Sequence, residues 1–394
     1  MSQTQTEWTA ADEAAAQAAG IPGARTLLDS GALSTLLDQP ASITRVRIKT
    51  GHSVVAAFTT DDAEPGWAML TVDQDKLTKA RQRAADTEGA ARFRVYSEHP
   101  PHLFSGSLWA DPVLGKDLRE ARQAMDGMSA AELPWKILRY NPRRRVVAAV
   151  PPTGVGHGEK ILRVAARGTA HAQATAQRWR DLGLPLVRST PVGGRGTATS
   201  APLWGWEDLS GAPYGPAATT AGAALGRLHQ QTAGSRRDRL PLRLSSSANA
   251  VAAHAPWLAD AAWGLADRVR AAIDALPPTP GSELHGDLSP DQVVMATPES
   301  HKIRLIDFDR SGVGDPMRDL GSWSASCRRL GLDPLISAFL QGYSGHGIPD
   351  LRRIAVWEAY AQLSSATDPF RHREPEWADR MCTTLSLGEE ALRR

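Results

Sequence analysis

Two separated stretches, VRIKTGHSVVAAF (46–58) and LRYNPRRRVVAAV (138–150), align without gaps and share Arg, Val-Val and Ala-Ala. Each reads as a strand, a polar turn of four or five residues, and a second strand, because apolar and β-branched residues flank a turn-forming core. Each is followed by a loop containing Pro and Gly, a short apolar run (WAMLTV at 67–72, KILRVAA at 160–166) and a helical stretch. The pattern is that of an internal repeat of a three-stranded unit. Two hairpins of similar composition arising by chance are the alternative. Either way the first half of the chain is strand-rich.

With 394 residues the chain is longer than one hydrophobic core usually organises, so two or three packed units are expected. Ala-rich helical stretches occupy 8–38, broken at 20–23 by Gly and Pro. Between the two copies, 92–97 alternates like a strand and 116–125 reads as a charged helix. After the second copy 170–182 is helical, and a Gly/Thr/Ser/Pro-rich stretch at 190–202 leads into LWGWEDLSG (203–211). Beyond it helices are expected at 217–231, 252–276, 317–330, 334–343, 351–366 and 377–392, interrupted by apolar segments around 284–310. Strands first and helices second predict an α+β fold of two lobes with a cleft between them. The expected units are 1–130, 131–206 and 207–394.

The charge balance, 45 basic against 43 acidic side chains for a formal net charge of +2, argues against a nucleic-acid binder. Cys327 and Cys382 are too few for a disulfide framework or a zinc site. No apolar run approaches the length of a membrane span. The start, MSQTQTEWTAADEAAAQAAG, lacks the basic and apolar regions of a secretory signal, so a cytoplasmic protein is expected.

The chemistry concentrates in 281–321. His285-Gly-Asp287 comes first, with Gln292 five residues beyond the aspartate; IRLIDFD (303–309) ends an apolar strand in two aspartates, and GDPMRDLG (314–321) opens a helix. Phosphoryl transfer needs a carboxylate beside the attacking hydroxyl and oxygen ligands that hold Mg²⁺ against phosphates. In kinases the base is followed five residues later by an amide ligand, and then by an aspartate on a strand. Asp287, Gln292 and Asp307 occupy those places, and Asp309, two residues on, shares the side of Asp307. Such aspartates also cap helices and fix turns. For Asp315 and Asp319, which flank a Pro at a helix start, capping or bracing is the preferred reading. His285 fits a loop brace better than a general base.

HGDLSPDQ together with LIDFDRSGVGDP resembles the aminoglycoside phosphotransferase and choline kinase-like superfamily, which shares the protein-kinase-like fold. The stretch DPFRHREPEWADR (368–380) and the paired strand–basic turn–strand of the first half resemble its bacterial members, so the likeness spans about 40–394 and is strongest over 281–321. It implies a small β-rich nucleotide lobe, a helical lobe, ATP (or another NTP) and Mg²⁺, with Asp287 and His285 as base and brace. Gln292, Asp307 and Asp309 are the implied metal ligands. Gln292 replaces the family's usual Asn, and both present a carbonyl oxygen. The phosphate-holding Lys of the third strand is matched by Arg163, which keeps the charge and adds a fork. Lys160, three positions away, faces the other side of the strand. The helix Glu that pairs with that Lys is replaced by Gln173.

The turn at 141–145 lies where a phosphate-covering loop belongs. Arg143, Arg144 and Arg145 are there either phosphate ligands or a solvated basic turn. GVGHG (154–158) is too short and misplaced for a dinucleotide or Walker loop and reads as a hairpin loop. Trp204 and Trp206, between the lobes, stand either at the adenine edge of a nucleotide or in packing. The first copy of the repeat has no HGD or IDFD of its own, so it is expected to cap or brace the nucleotide lobe.

Three functions follow. One is a kinase of a small-molecule hydroxyl (aminoglycoside, sugar or amino alcohol) whose acceptor, if cationic, would meet acids such as Glu358 and Asp368. The second is a kinase of peptide Ser/Thr. The third is a silent pseudokinase that binds nucleotide or a partner protein, suggested by the Arg163, Gln173 and Gln292 departures.

Overall fold

The computed structural model describes residues 8–85, 92–126, 135–152, 158–237 and 239–394. Helices α1 (Ala10–Ala18) and α2 (Ser30–Leu37) come first. Thr9 and Asp12 form a reciprocal capping box that starts α1. Five strands follow: β1 (Ala41–Lys49), β2 (Ser53–Thr60), β3 (Pro65–Thr71), then helix α3 (Gln74–Ala85), β4 (Arg94–Ser97) and β5 (His102–Ser107). Helix α4 (Gly115–Asp126) leads to a second set: β6 (Lys136–Asn141), β7 (Arg145–Val150), β8 (Lys160–Ala165), helix α5 (Ala170–Asp181), β9 (Thr190–Val192) and β10 (Ala198–Pro202).

The repeat is real and larger than the sequence suggests. The two sheets have the same strand order, β1-β2-β3-β5-β4 and β6-β7-β8-β10-β9. Each has a register irregularity in its first strand, between Ile43 and Arg45 in one and between Ile137 and Arg139, two residues further along the repeat, in the other. Three strands escape the sequence pattern, one in the first sheet and two in the second. β5 carries Ser and Gly, while β9 and β10 sit in the Gly/Thr/Ser/Pro-rich stretch that reads as a linker. Short strands of weak intrinsic preference form there because a long neighbour offers them a ladder.

The Val-Val-Ala-Ala run of β2 is apolar throughout because both of its faces are covered. On β2, Val54, Ala56 and Phe58 join the core shared with the N-terminal helices and the helical lobe, including Phe370 and Trp377. Val55 and Ala57 face the other way, into a core with Val146, Ala148, Leu162 and Val164 of the second sheet and with Leu118 and Ala121 of α4. The N-terminal sheet is therefore packed against both halves of the molecule. Asp12 strengthens this docking: buried, it accepts from Arg373 at 2.6 Å and from the Trp377 indole at 2.9 Å.

A crossing at Leu203–Trp206 leads to the helical lobe: β11 (Glu207–Asp208), α6 (Gly215–Gln231), α7 (Leu244–His254), α8 (Ala259–Asp274), β12 (Ser282–Leu284), β13 (Val293–Met295), β14 (Ile303–Leu305), β15 (Gly312–Gly314), α9 (Met317–Leu330), α10 (Pro334–Tyr343), α11 (Leu351–Ser365), α12 (Asp368–Arg371) and α13 (Trp377–Arg393). The single helix expected over 252–276 is two. Pro256 has no N–H to donate and forces Ala255 out of the helical region (φ −139°, ψ 78°), so α7 stops and α8 starts afresh. Most of the loop GVGHG falls outside the described residues. Among the described residues no helix is long and apolar enough to cross a membrane.

Candidate active site

The site is built on two short antiparallel ladders. β14 pairs with β13, Val293 opposite Leu305, and β12 pairs with β15. Ile303 and Leu305 are buried, which pins β14 in place. The Ile306 N–H donates to Gln292 O at 3.1 Å, tying the end of β14 to the segment that carries Gln292. Asp307 then adopts a left-handed backbone (φ 61°), which turns its carboxylate out of the strand direction. Positive φ is uncommon outside glycine and concentrates where local strain serves a site. Phe308 anchors the turn between Trp179 of α5 and His285, at ring distances of 5.6 and 6.2 Å.

The His285-Gly286-Asp287 loop is held from beneath. Asp319, fully buried in the first turn of α9, accepts the backbone N–H groups of His285 at 2.7 Å and Gly286 at 2.8 Å. His229 of α6 approaches the same carboxylate at 3.2 Å. Burial works to raise the Asp319 pKa, but the His229 bond and the backbone donors outweigh it and hold the carboxyl below its ordinary value. Gly286 is needed for its shape: its φ is 85°, and a Cβ would lie 2.1 Å from Arg310 O. His285 is buried, with Nε2 3.0 Å from Ile306 O, so it ties this loop to the Asp307 strand and acts as a brace. Asp315 caps the Met317 N–H and pairs with Arg353 at 2.6 Å. Both Asp315 and Asp319 thus have the supporting positions expected of them.

Asp287 sits at the rim, with Arg310 Nη1 2.8 Å away. Crowding by surrounding protein raises its pKa above the ordinary carboxylate value, against the opposing pull of Arg310 and His285. The charge of Asp307 adds to the rise, so the two carboxylates share one electrostatic neighbourhood. For Asp307 burial likewise acts upward, but Arg145 and then Arg163 reverse it and leave the pKa lowered.

Across the cleft the second sheet contributes arginines. Alternate residues on one face, Ile161, Arg163, Thr199 and Ala201, line a narrow cleft of about 130 Å³ opposite Asp307 and Phe308. Arg145 Nη1 lies 2.9 Å from Asp307 and 3.0 Å from Asp309. Arg163 bonds Asp309 and stands 3.8 Å from Asp307. Burial first, and Arg145 further, push the Arg163 guanidinium down to about 10, with Asp307 opposing. Gln173 lines the same cleft, yet its Nε2 is buried without a partner, so Arg163 is held by the aspartates and not by the helix glutamine. Gln292 is buried and its Oε1 has no hydrogen-bond partner.

Three of the candidate nucleotide ligands are placed differently from the expectation. Arg143, with φ 64°, donates its backbone N–H to Asp111 at 2.7 Å, and its side chain reaches Met69 of the N-terminal sheet. Arg144 is exposed, and of the three consecutive arginines Arg145 alone bonds Asp307 and Asp309. Trp206 is about half exposed and outside the cleft lining; its backbone N–H donates to Met295 O at 2.8 Å. Trp204 is a packing residue under Arg304, 5.0 Å from its ring centre. The sequence reading missed Arg310, although it directly follows IDFD, and His229, which has no local signal.

A strained aspartate at a strand end, a braced H-G-D loop and arginines descending from a five-stranded sheet define a phosphotransferase fold. Residues 153–357 match the phosphotransferase enzyme family, and the chain belongs to it. Among solved structures, the AMP-bound spectinomycin phosphotransferase is similar at a TM-score of 0.51 and 12% identity, over 70% of this chain and 98% of that one. Amicoumacin kinase, solved with AMP-PNP, Ca²⁺ and Ami, has a TM-score of 0.50 and 13% identity over 71% and 93%. Viomycin phosphotransferase from Streptomyces vinaceus is 36% identical over 73 residues, which is 18% of this chain and only 25% of that protein.

Proposed function

We propose that this protein is an ATP- and Mg²⁺-dependent kinase that transfers the γ-phosphoryl group to a hydroxyl of a small molecule, such as an aminoglycoside, sugar or amino alcohol. The observation that carries the reading is the convergence of Arg145 and Arg163 on Asp307 and Asp309 beside the Asp287 loop. That spectinomycin phosphotransferase and amicoumacin kinase share the fold supports a small-molecule acceptor. Residues 1–130 act as a cap, 131–206 as the nucleotide lobe and 207–394 as the catalytic and acceptor lobe.

When bound, Mg²⁺ would supply charge neutralisation at the nucleotide phosphates. Asp307, Asp309 and Gln292 would hold it, and the partnerless Gln292 Oε1 fits an oxygen donor kept for a cation. Arg145 and Arg163 then exchange carboxylates for phosphate oxygens, for which a guanidinium fork is suited. Asp287 takes the proton of the acceptor hydroxyl; Arg310 keeps it ionised despite the crowding that lifts its pKa. Positioning and charge compensation carry the catalysis.

The test is mass-spectrometric detection of phosphate gain across pooled amino sugars, simple sugars and short Ser/Thr peptides. Wild type and Asp287→Asn are run side by side, with thermal shift by MgATP as a separate readout. The variant is expected to keep the shift and lose transfer; transfer by the variant refutes the role of Asp287. A second reading, a silent nucleotide-binding protein, draws on the partnerless Gln173 and on the two metal-site carboxylates being neutralised by arginines. A Mg²⁺-dependent shift with no transfer or hydrolysis in any pool selects it.

A further inference from the structure

The two copies of the repeat differ at the positions that matter for the cleft. Arg163 lies opposite Val147 in the second sheet, and the equivalent place opposite Val55 in the first sheet is held by Met69. Arg145 opens β7, whereas Ser53 opens β2. The first copy therefore has the outline of the second without either guanidinium that reaches Asp307 and Asp309.

The two hairpin turns are alike in backbone and unlike in sequence. His52 donates its N–H to Lys49 O at 2.9 Å, and Arg144 donates to Asn141 O at 3.0 Å, so each closes a tight turn. The third residue of each turn is left-handed: Gly51 at φ 68° and Arg143 at φ 64°. Glycine adopts this conformation freely, whereas an arginine is strained in it. Each of these residues also has its N–H captured by an element that precedes the hairpin. Gly51 donates to Ala19 O, just past α1, at 2.9 Å. Arg143 donates to the Asp111 carboxylate at 2.7 Å. A peptide carbonyl suffices for the relaxed turn, while the strained one is held by a carboxylate, the stronger acceptor.

Asp111, only 2% exposed, stands just before α4 and joins the two units. Its Oδ1 accepts the N–H groups of Val113 at 2.8 Å and Leu114 at 3.0 Å, which fixes the carboxylate in the N-terminal unit. Its Oδ2 accepts the Tyr140 hydroxyl at 2.8 Å and the Arg143 N–H at 2.7 Å, both from the β6–β7 hairpin. Burial, and then the charge of Asp111, push the Tyr140 pKa up, so the phenol stays a donor. The Arg143 guanidinium meets Met69 Sδ at 3.4 Å, so the first unit holds this residue by backbone and side chain alike. Arg145, paired with Asn141 across the turn, reaches instead to Asp307 at 2.9 Å and Asp309 at 3.0 Å.

We propose that Asp111 is a positioning residue of the nucleotide site: from the N-terminal unit it holds the β6–β7 turn in its left-handed form, and through that turn it sets where Arg145 meets the phosphates of a nucleoside triphosphate. This rests on the kinase reading and gives the N-terminal unit a task within it. A copy of the sheet that has no cations of its own serves to aim a cation of the other.

The test is a double-mutant cycle on MgATP affinity, measured by titration calorimetry on the full chain below the unfolding transition of each variant. Asp111→Asn keeps an oxygen for Val113 and Leu114 but turns an N–H₂ toward the Arg143 N–H. It is expected to weaken MgATP binding by roughly tenfold, and Arg145→Gln by at least as much. Because Asp111 acts through Arg145, the double variant is expected to bind no more weakly than Arg145→Gln alone. A second pair leaves Asp111 intact and decides the matter if Asp111→Asn does not fold. Arg143→Gly and Arg143→Val remove the same charge, but only the glycine suits the left-handed turn, so the valine variant is expected to bind MgATP roughly tenfold more weakly than the glycine variant. Single effects that multiply in the double variant, an unchanged affinity in Asp111→Asn, or equal affinities of the glycine and valine variants overturn the proposal and leave the kinase reading standing. Failure of the wild type to bind MgATP overturns both.

Discussion

Asp319→Asn isolates the support of the H-G-D loop from the chemistry. The carboxylate serves three donors at once: the N–H groups of His285 and Gly286, and His229. An asparagine keeps one oxygen and turns an N–H₂ toward the second backbone donor, leaving a buried N–H without an acceptor. One orphaned donor costs about 1–3 kcal/mol, and the surviving bond loses its charge assistance, so a total loss of roughly 3–5 kcal/mol is expected. The loop would then drift, and a displacement of about 1 Å at Asp287 lowers turnover by on the order of a hundredfold. Denaturant unfolding and MgATP thermal shift are the assays, with turnover once an acceptor is in hand. The pH dependence gives an internal check. The folded pKa of Asp319 is depressed, so its contribution is present above the unfolded carboxylate pKa of about 3.9 and is lost as pH falls through the lowered folded value. The variant should lose stability at neutral pH and show a flatter acid limb than wild type. A change below about 1 kcal/mol at pH 7 would refute the bracing argument.

Two further outcomes follow from the same geometry. Arg310→Gln removes a positive charge beside Asp287, so the carboxyl pKa rises further and the acid limb of the pH–rate profile moves to higher pH; the pair is open to solvent, so the displacement is modest, and a shift to lower pH would contradict the assignment. Gly286→Ala places a methyl group 2.1 Å from Arg310 O at a φ of 85°, and a loss of at least about 2 kcal/mol in denaturant unfolding is expected; a neutral result would mean that the loop has another way to sit.

Much of this was legible because the signals are local. Asp287, Gln292, Asp307 and Asp309 lie within a short span whose turns and strands fix their relative places, so spacing alone gathers them. Helices α9, α10, α11 and α13 follow apolar periodicity almost to the residue, whereas the short α12 was not expected. The paired hairpins betray the two sheets, but β5, β9 and β10 have Gly, Ser and Pro where strands usually have branched residues. Their conformation comes from partners distant in sequence. The same limit applies to Arg143, Arg144 and Arg145. Three identical side chains in a row carry no sign of which reaches Asp307 and Asp309; a left-handed residue at Arg143 and the capture of its N–H by Asp111 decide it. Gln173 illustrates the reverse, since the missing helix carboxylate is visible in the sequence, whereas the aspartates that take Arg163 in its place are not.

The N-terminal sheet has one face in each of the two cores. A hinge at 203–206 is therefore not free to swing: tilting one lobe would slide both faces against their neighbours and strain the Arg45–His372 and Asp12–Arg373 links. On the kinase reading, nucleotide entry would require Arg145 and Arg163 to release Asp307 and Asp309, a side-chain rearrangement and not a swing of one lobe against the other.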